Sequence, residues 1–176
     1  VTNFSKYCAK AEQLIEYAGF ELIKNPYQRS YTKEELREID PDVCAVIAGM
    51  ESWDSETVKY FKQLKIIMKF GVGVDTIDLK AAEENRIIVR NAPGLNSVSV
   101  ANMTIALMFA VLRKIVMYVN TTKSGKWVRD MADDIDDKTI GIIGFGDIGK
   151  KVAKRLSGFD ARILAYDINP DKGAAK

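Results

Sequence analysis

The sequence predicts an α/β fold in which helices cover the faces of parallel sheets. Two runs, 43–49 (VCAVIAG) and 64–71 (LKIIMKFG), are rich in apolar residues over the length of a strand, which is typical of strands buried on both faces. Patterns with helical periodicity separate these runs from each other and from their neighbours. A strand, a glycine-rich turn, a helix and another strand follow at 138–167. This alternation indicates βαβ units and therefore parallel pairing.

Apolar spacing and turn residues divide the first half of the chain into elements. Helical spacing over 7–19 ends at a glycine, a common C-terminal stop. Thr32 and Glu35 have the spacing of a capping box, which marks the start of a short helix. Val1 and Thr2 are expected to be the end of a strand that begins earlier. The predicted elements are helix 7–19, strand 20–24, helix 32–40, strand 43–49, helix 55–64, strand 64–71, helix 78–86 and strand 87–92.

The turn signal Pro93-Gly94 precedes the longest helical pattern. Asn96 or Ser97 is predicted to cap a helix that runs to about Lys123 and links two domains. Its uncharged part, roughly 15 residues long, is shorter than a bilayer span and indicates a core helix rather than a membrane segment. One stripe of this helix is expected to pack in the core: Val98, Ala101, Ile105, Met108, Leu112 and Val116.

Composition excludes several classes of function. The net charge of +2 over 176 residues is too small to indicate a nucleic-acid or membrane surface, and there is no arginine-rich tract. Cys8 and Cys44 are too few for a metal cluster or a disulfide framework, which fits a reducing, cytoplasmic setting. The acidic cluster in the predicted connecting loop 124–137 is expected to be a solvated surface. No metal site is therefore predicted.

Three glycines, Gly144, Gly146 and Gly149, form the pattern G-x-G-x-x-G between an apolar strand and a helix. The first allows a tight turn, the second lets the backbone approach a pyrophosphate, and the third allows the helix to pack closely on the strand. The helix N-terminus, with Asp147 and Ile148 in its first turn, offers free N–H groups to phosphates. The pattern predicts a dinucleotide-binding site; the alternative is a glycine turn without a ligand.

Asp167 ends the second strand and is predicted to accept hydrogen bonds from the adenosine ribose. No Arg or Lys occurs between it and Lys172, and a carboxylate repels a 2′-phosphate, so NAD is favoured over NADP. Asp147 brings a second negative charge close to the predicted phosphate site. Its side chain is therefore expected to turn to solvent while its amide faces the pyrophosphate.

Four further motifs resemble those of a known family. They are Gly-x-Gly-x-Asp-x-Ile-Asp at 71–78, Asn-x-Pro-Gly at 91–94, Asn-Ser at 96–97 and Gly-Lys-Trp at 125–127. In this order they resemble the region of D-isomer-specific 2-hydroxyacid dehydrogenases that joins the substrate and cofactor domains. With the glycine motif, the resemblance covers nearly the whole chain. Within the family it is nearer to phosphoglycerate dehydrogenases and to hydroxypyruvate or glyoxylate reductases.

The resemblance implies an NAD-linked oxidoreductase that interconverts a 2-oxo acid and a D-2-hydroxy acid by hydride transfer. It implies a flavodoxin-like substrate domain over 1–96, followed over 97–176 by a linking helix and the first half of a Rossmann domain. Family members usually pair as homodimers through the Rossmann domain. Val72 and Gly73 are implied to present amides to the substrate carboxylate, and Val100 to lie near the nicotinamide. For Val72 and Gly73 the alternative is an ordinary turn at the end of a strand. For Val100 the alternative is packing in the core.

The catalytic Arg, Glu and His of the family lie C-terminal to the segment that this chain matches, and the chain contains no histidine. No catalytic residue is therefore assigned. Only one strand–helix–strand unit follows residue 137, so we expect a partial Rossmann domain and an inactive fragment of a longer enzyme. Asn102 stands where the family commonly has Glu, which alters hydrogen bonding near the domain hinge.

Two other interpretations stay open. An NAD-sensing interaction module related to the dehydrogenases would also lack the catalytic residues. The cofactor domain of adenosylhomocysteinase has a run similar to GFGDIGK at 144–150, although the region before it does not fit that family.

Overall fold

The computed structural model describes residues 8–170 and residue 173. The chain forms two compact units, 1–93 and 94–176. The boundary predicted from the sequence, after residue 96, lies in the same turn, 93–96. Each unit has its own sheet and its own hydrophobic cluster, so each buries its own apolar side chains.

Helices and strands alternate in the N-terminal unit. They are α1 (Ala9–Tyr17), α2 (Lys33–Leu36), β1 (Ala45–Ala48), α3 (Ser55–Tyr60), β2 (Ile66–Lys69), α4 (Leu79–Glu84) and β3 (Ile88–Arg90). The three strands form a parallel sheet in the order β1-β2-β3, with Ala45 beside Ile66 and Ile66 beside Ile88. The predicted α/β class with parallel pairing is confirmed.

Short polar side chains fix the starts of three helices in this unit. Thr32 accepts a hydrogen bond from the Glu35 amide while the Glu35 carboxylate accepts one from the Thr32 amide, so the predicted capping box is confirmed. Asp54 caps α3 and Asp78 caps α4 with a single side-chain bond each, accepting from an amide in the first helical turn. These local bonds let helices as short as four residues begin at defined positions.

The core of the N-terminal unit surrounds β2, whose Ile67 has no exposed surface. Trp53 packs against Phe61 with ring centroids 5.6 Å apart. Side chains from the helices close the cluster on the sheet, as the βαβ arrangement requires. The other buried members are Leu36, Ala48, Val58, Leu64, Ile77, Ala81, Ala82 and Ile87.

The predicted strand at 20–24 is wrong, because this segment has no strand geometry. A strand needs a neighbour that completes its ladder, and among the described residues the three-strand sheet ends at β1. Phe20 and Ile23 are more than half exposed, and a cleft of about 1020 Å³ is lined by both this segment and β1. The predicted strand end at residues 1–2 lies outside the described residues.

The C-terminal unit is a parallel strand pair covered by helices. Its elements are α5 (Ser97–Leu112), α6 (Ile115–Lys123), β4 (Thr139–Ile143), α7 (Asp147–Leu156) and β5 (Arg162–Tyr166). β4 pairs with β5, and the core contains Ala101 of α5 with Val152 and Leu156 of α7. Ile105, Met108 and Leu112 of the predicted stripe pack against this core. Val98 and Val116 do not, since both are about half exposed or more.

The prediction of one helix from residue 97 to about residue 123 is wrong. Two helices, α5 and α6, meet at a bend of 64°, because Lys114 adopts the left-handed conformation with φ of 50°. Arg113 and Lys114 form ion pairs with Asp134 and Asp130 of the following loop, so distant residues stabilise the bend. Within the described residues no single helix is long and apolar enough to cross a membrane; only the bent pair α5–α6 has the required length and composition.

Two helix-capping carboxylates of the N-terminal unit titrate below their ordinary range. The Arg29 guanidinium lies 2.5 Å from the Glu35 carboxylate, and their hydrogen bond is the main reason why the pKa of Glu35 falls to about 2. The Lys33 ammonium lies 2.8 Å from the Asp54 carboxylate, and their hydrogen bond is the main reason why the pKa of Asp54 falls to about 2. Both groups have lower pKa values in the folded than in the unfolded chain, so their charged forms stabilise the fold.

We expect the thermal stability of this unit to fall in acid. Because the folded pKa values of Glu35 and Asp54 are depressed, their contribution is present above the unfolded values near pH 4 and is lost as the pH falls towards about 2. Circular dichroism melts between about pH 7 and pH 2.5 measure this dependence. Asp54→Asn should make it shallower, while Glu16→Gln, at an exposed position of α1, should leave it unchanged. Equal slopes in all three proteins would contradict the assignment.

Candidate functional site

The glycine turn of the C-terminal unit joins β4 to α7. Gly144 follows β4 with φ of 92°, a left-handed conformation that favours glycine, and its amide donates to the carbonyl of Tyr166 at 2.8 Å. Gly146 is the N-cap of α7 and is exposed. The chain therefore leaves the strand, turns within three residues and enters the helix.

Gly149 packs directly against this turn. A Cβ atom placed on Gly149 would lie 2.2 Å from the carbonyl oxygen of Gly144, a distance at which backbone must move. Gly149 is buried, and the same Cβ would lie 3.3 Å from Ile142 of β4. The close helix–strand approach expected of the third glycine is present in the structure.

The first turn of α7 presents its backbone amides at the turn. Asp147, Ile148 and Gly149 are its first three residues, so their N–H groups have no carbonyl acceptor within the helix. No side chain caps this end. Free amides and the positive end of the helix dipole together favour an anion such as a phosphate.

Asp167 lies against the same turn. One carboxylate oxygen accepts from the Phe145 amide at 2.6 Å, and the other accepts from the Asn169 amide at 2.8 Å. The Asn169 and Phe145 amides lower the pKa of Asp167 below its ordinary value, which keeps the carboxylate ionised. Each oxygen retains a further lone pair, which suits it to accept from ligand hydroxyl groups.

Two further predicted residues belong to this unit. Asp147 is exposed, as expected, and its carboxylate lies beside the backbone of Gly94, 3.0 Å from the position that a Cβ would take there. Val100 is half-buried in the first turns of α5, and its carbonyl accepts from the Thr104 hydroxyl at 2.9 Å. The predicted contact of Val100 with a nicotinamide stays a prediction.

The predicted substrate loop lies in the N-terminal unit, directly after β2. The Gly71 carbonyl accepts from the Ala92 amide at 2.9 Å, and the Val72 carbonyl accepts from the Asn91 side chain at 2.7 Å. In the described part of the chain, the amides of Val72 and Gly73 donate to no acceptor, and both residues are exposed. The loop uses its carbonyls internally and leaves amides to solvent, which is a suitable arrangement for a carboxylate.

Sequence reasoning missed two polar contacts near these sites. Asn102, noted only as a departure from the family, accepts from the Arg155 guanidinium at 2.6 Å and so joins α5 to α7. Lys69 is buried at the end of β2 and bonds the Gly49 carbonyl and the Thr76 hydroxyl. The sequence offered one sign of this role, because Lys69 is a lysine inside an apolar run that is predicted to be a strand.

Comparisons with known proteins agree on one family. A family model described as D-isomer specific 2-hydroxyacid dehydrogenase, catalytic domain, matches residues 2–165. A D-3-phosphoglycerate dehydrogenase of Archaeoglobus fulgidus is 39% identical over 160 residues, which cover 89% of this chain and 30% of that protein. A hydroxypyruvate reductase of Thermotoga maritima is 39% identical over 171 residues, which cover 93% of this chain and 56% of that protein.

Solved structures give the same fold. A crystal structure of NAD⁺-bound 3-phosphoglycerate dehydrogenase from Entamoeba histolytica matches with a TM-score of 0.75 and 30% identity. The match covers 92% of this chain and 49% of that one. This chain thus spans between 30% and 56% of the lengths of these three relatives.

Gly149→Ala should damage the glycine turn. A methyl group 2.2 Å from the Gly144 carbonyl forces α7 away from β4, and we expect a loss of roughly 1–3 kcal/mol in the free energy of unfolding together with weaker nucleotide binding. Urea unfolding measures the first effect and calorimetry with NADH the second. Gly158→Ala is the matched control, since nothing lies within 4 Å of its Cβ position. A Gly149→Ala protein as stable as the control would contradict the packing described here.

Proposed function

The chain belongs to the D-isomer specific 2-hydroxyacid dehydrogenase family, and we propose that the protein is an NAD-dependent oxidoreductase that interconverts a 2-oxo acid and a D-2-hydroxy acid. The observation that carries this proposal is the position of Asp167 at the glycine turn, next to the free amides of α7. Besides the two backbone amides from which it accepts, this carboxylate has lone pairs that can accept from the hydroxyl groups of a ribose.

The cofactor proposed for the C-terminal unit is NAD. The amides of Asp147 and Ile148 would hold the diphosphate, at the turn formed by Gly144, Gly146 and Gly149. Asp167 would accept from the adenosine ribose hydroxyls and repel the 2′-phosphate of NADP. The relative from Entamoeba histolytica, whose structure contains NAD⁺, supports this choice.

The substrate proposed for the N-terminal unit is a small 2-oxo acid. The amides of Val72 and Gly73 would bind its carboxylate, because two exposed N–H groups on one short loop, with no acceptor in the described part of the chain, are suited to an anion. Bound NADH would supply a hydride to the carbonyl carbon of such an acid, and a proton would have to reach the oxygen. We assign no proton donor among the residues of this chain, which has no histidine. Relatives named for both phosphoglycerate and hydroxypyruvate support the substrate class rather than one substrate.

The proposed setting is cytoplasmic, supported by two cysteines, Cys8 and Cys44, that are both free thiols. An NAD-sensing interaction module is a second candidate function, because it would need only the nucleotide site proposed for the C-terminal unit, with the free amides of α7 and Asp167. The two functions differ in turnover. A sensor binds NADH without oxidising it in the presence of any 2-oxo acid.

The reaction is tested with the full-length protein and NADH, by following NADH absorbance with glyoxylate, hydroxypyruvate and phosphohydroxypyruvate. Asp167→Asn should raise the Kd for NADH by about tenfold, which corresponds to about 1.4 kcal/mol, and should reduce the preference for NADH over NADPH. Asp160→Asn, at an exposed position of the same unit, is the control. An unchanged Kd for NADH in Asp167→Asn would contradict the cofactor assignment, and binding without turnover would favour the sensor.

We also propose a homodimer that forms through α5. Met103, Leu107 and Val111 are spaced four residues apart on the side of α5 away from its core residues, and all are more than half exposed. Trp127, in the loop after α6, is 90% exposed. Exposed apolar side chains in a row along a helix are typical of a protein interface, and a second copy is the commonest partner.

Leu107→Glu should separate the dimer. A carboxylate buried without a partner at the interface is costly, so the dimer Kd should rise by roughly a hundredfold. Light scattering after size-exclusion chromatography measures the mass. Lys154→Glu, on the exposed side of α7, changes charge without touching this surface and should leave the mass unchanged. A dimer of equal stability in Leu107→Glu would exclude α5 as the interface.

A further inference from the structure

Lys69 is a buried lysine, 5% exposed, at the last position of β2. Its ammonium donates to the Gly49 carbonyl and, at 3.0 Å, to the Thr76 hydroxyl. In the described part of the chain these are its only acceptors, and both are neutral. Burying a charge on neutral acceptors costs free energy, so an apolar residue would serve the core better if packing were the only requirement.

The two bonds of Lys69 connect two loops at the carboxyl ends of neighbouring strands. Gly49 follows β1, and Thr76 closes the loop that follows β2. Thr76 is fixed a second time, because its carbonyl accepts from the Trp53 amide at 2.7 Å. The ammonium therefore joins the far end of the glycine loop to the residue that follows β1.

The stem of Lys69 also lies beside the near end of that loop. Its Cε atom is 4.0 Å from the position of a Cβ on Gly71. The carbonyls of Gly71 and Val72 accept from the Ala92 amide and the Asn91 side chain. These contacts leave the exposed amides of Val72 and Gly73 as the groups of the loop that are open to a ligand.

Negative charges around the loop make a nearby cation useful. The carboxylate of Asp75 lies 2.9 Å from the position of a Cβ on Gly73, and the buried carboxylate of Glu51 accepts from the Gly49 amide at 2.6 Å. Both groups disfavour a bound anion. A fixed ammonium in the same group of loops offsets this repulsion.

We propose that Lys69 is a positioning residue for the substrate carboxylate: by joining Gly49 to Thr76 it holds the amides of Val72 and Gly73 in the geometry that binds the 2-oxo acid. This rests on the proposed function of the loop. Lys69 acts through the loop and donates no bond to the substrate.

The test compares Lys69→Met, Lys69→Arg and the control Lys80→Met, an exposed lysine of α4, in the full-length protein with NADH and glyoxylate. Lys69→Met should raise KM by about tenfold, corresponding to about 1.4 kcal/mol, with kcat changed less than about threefold and the Kd for NADH unchanged. Lys69→Arg should recover most of the loss, because it keeps the charge and the donors. A KM for Lys69→Met within twofold of the wild type, or an equal loss in Lys69→Arg, would overturn the proposal.

A second measurement separates this proposal from the proposed function. Hydrogen exchange at the Trp53 and Ile77 amides, which donate to the carbonyls of Thr76 and Val74, reports the loop directly. It should be roughly tenfold faster in Lys69→Met even if the wild type reduces no 2-oxo acid, and unchanged exchange would overturn the role of Lys69. If Lys69→Met fails to fold, Thr76→Val removes one acceptor only. A KM or exchange rate unaffected by Thr76→Val would count against the proposal in the same way.

Discussion

The packing of Gly149 against the carbonyl of Gly144 is the constraint on which the C-terminal unit depends. Because no side chain fits between them, the helix starts after a turn of only three residues and packs directly on the strand. This brings the first amides of α7 close to the Phe145 amide, to which Asp167 is bonded. An anion-accepting group and a hydroxyl-accepting group thus occur side by side as a result of one backbone contact. The backbone contact itself holds these groups in place, which would lower the ordering cost of the nucleotide binding proposed for them.

The N-terminal unit also leaves backbone amides open to solvent, but it does so in a loop rather than at the start of a helix. In the loop after β2, the carbonyls of Gly71 and Val72 are occupied by Ala92 and Asn91. What the loop then offers to solvent is amides. In both units the fold leaves backbone donors without a protein acceptor at the surface, a feature that is suited to small anions.

The sequence was sufficient where the signal was local. Glycine spacing predicted the turn at 144–149, and the capping box at Thr32 and Glu35 predicted a helix start. The sequence was insufficient where the local structure depends on residues far away in the chain. The strand at 20–24 was predicted from its composition, although pairing depends on a neighbour, and the bend at Lys114 depends on loop carboxylates that follow it in the chain. Lys69 could be recognised in the sequence as a lysine within a strand, but its hydrogen-bond acceptors could not, because they come from two separate loops.

The two tryptophans of the chain have opposite environments, and this gives the protein a built-in optical probe. Trp53 is 2% exposed in the N-terminal unit, and Trp127 is 90% exposed in the C-terminal unit. Fluorescence of a shielded indole is shifted to the blue and resists quenching by solutes, whereas a hydrated indole emits further to the red and is readily quenched. Iodide or acrylamide would thus quench the fluorescence of Trp127 selectively. The remaining emission would follow the melting of the sheet around β2 alone.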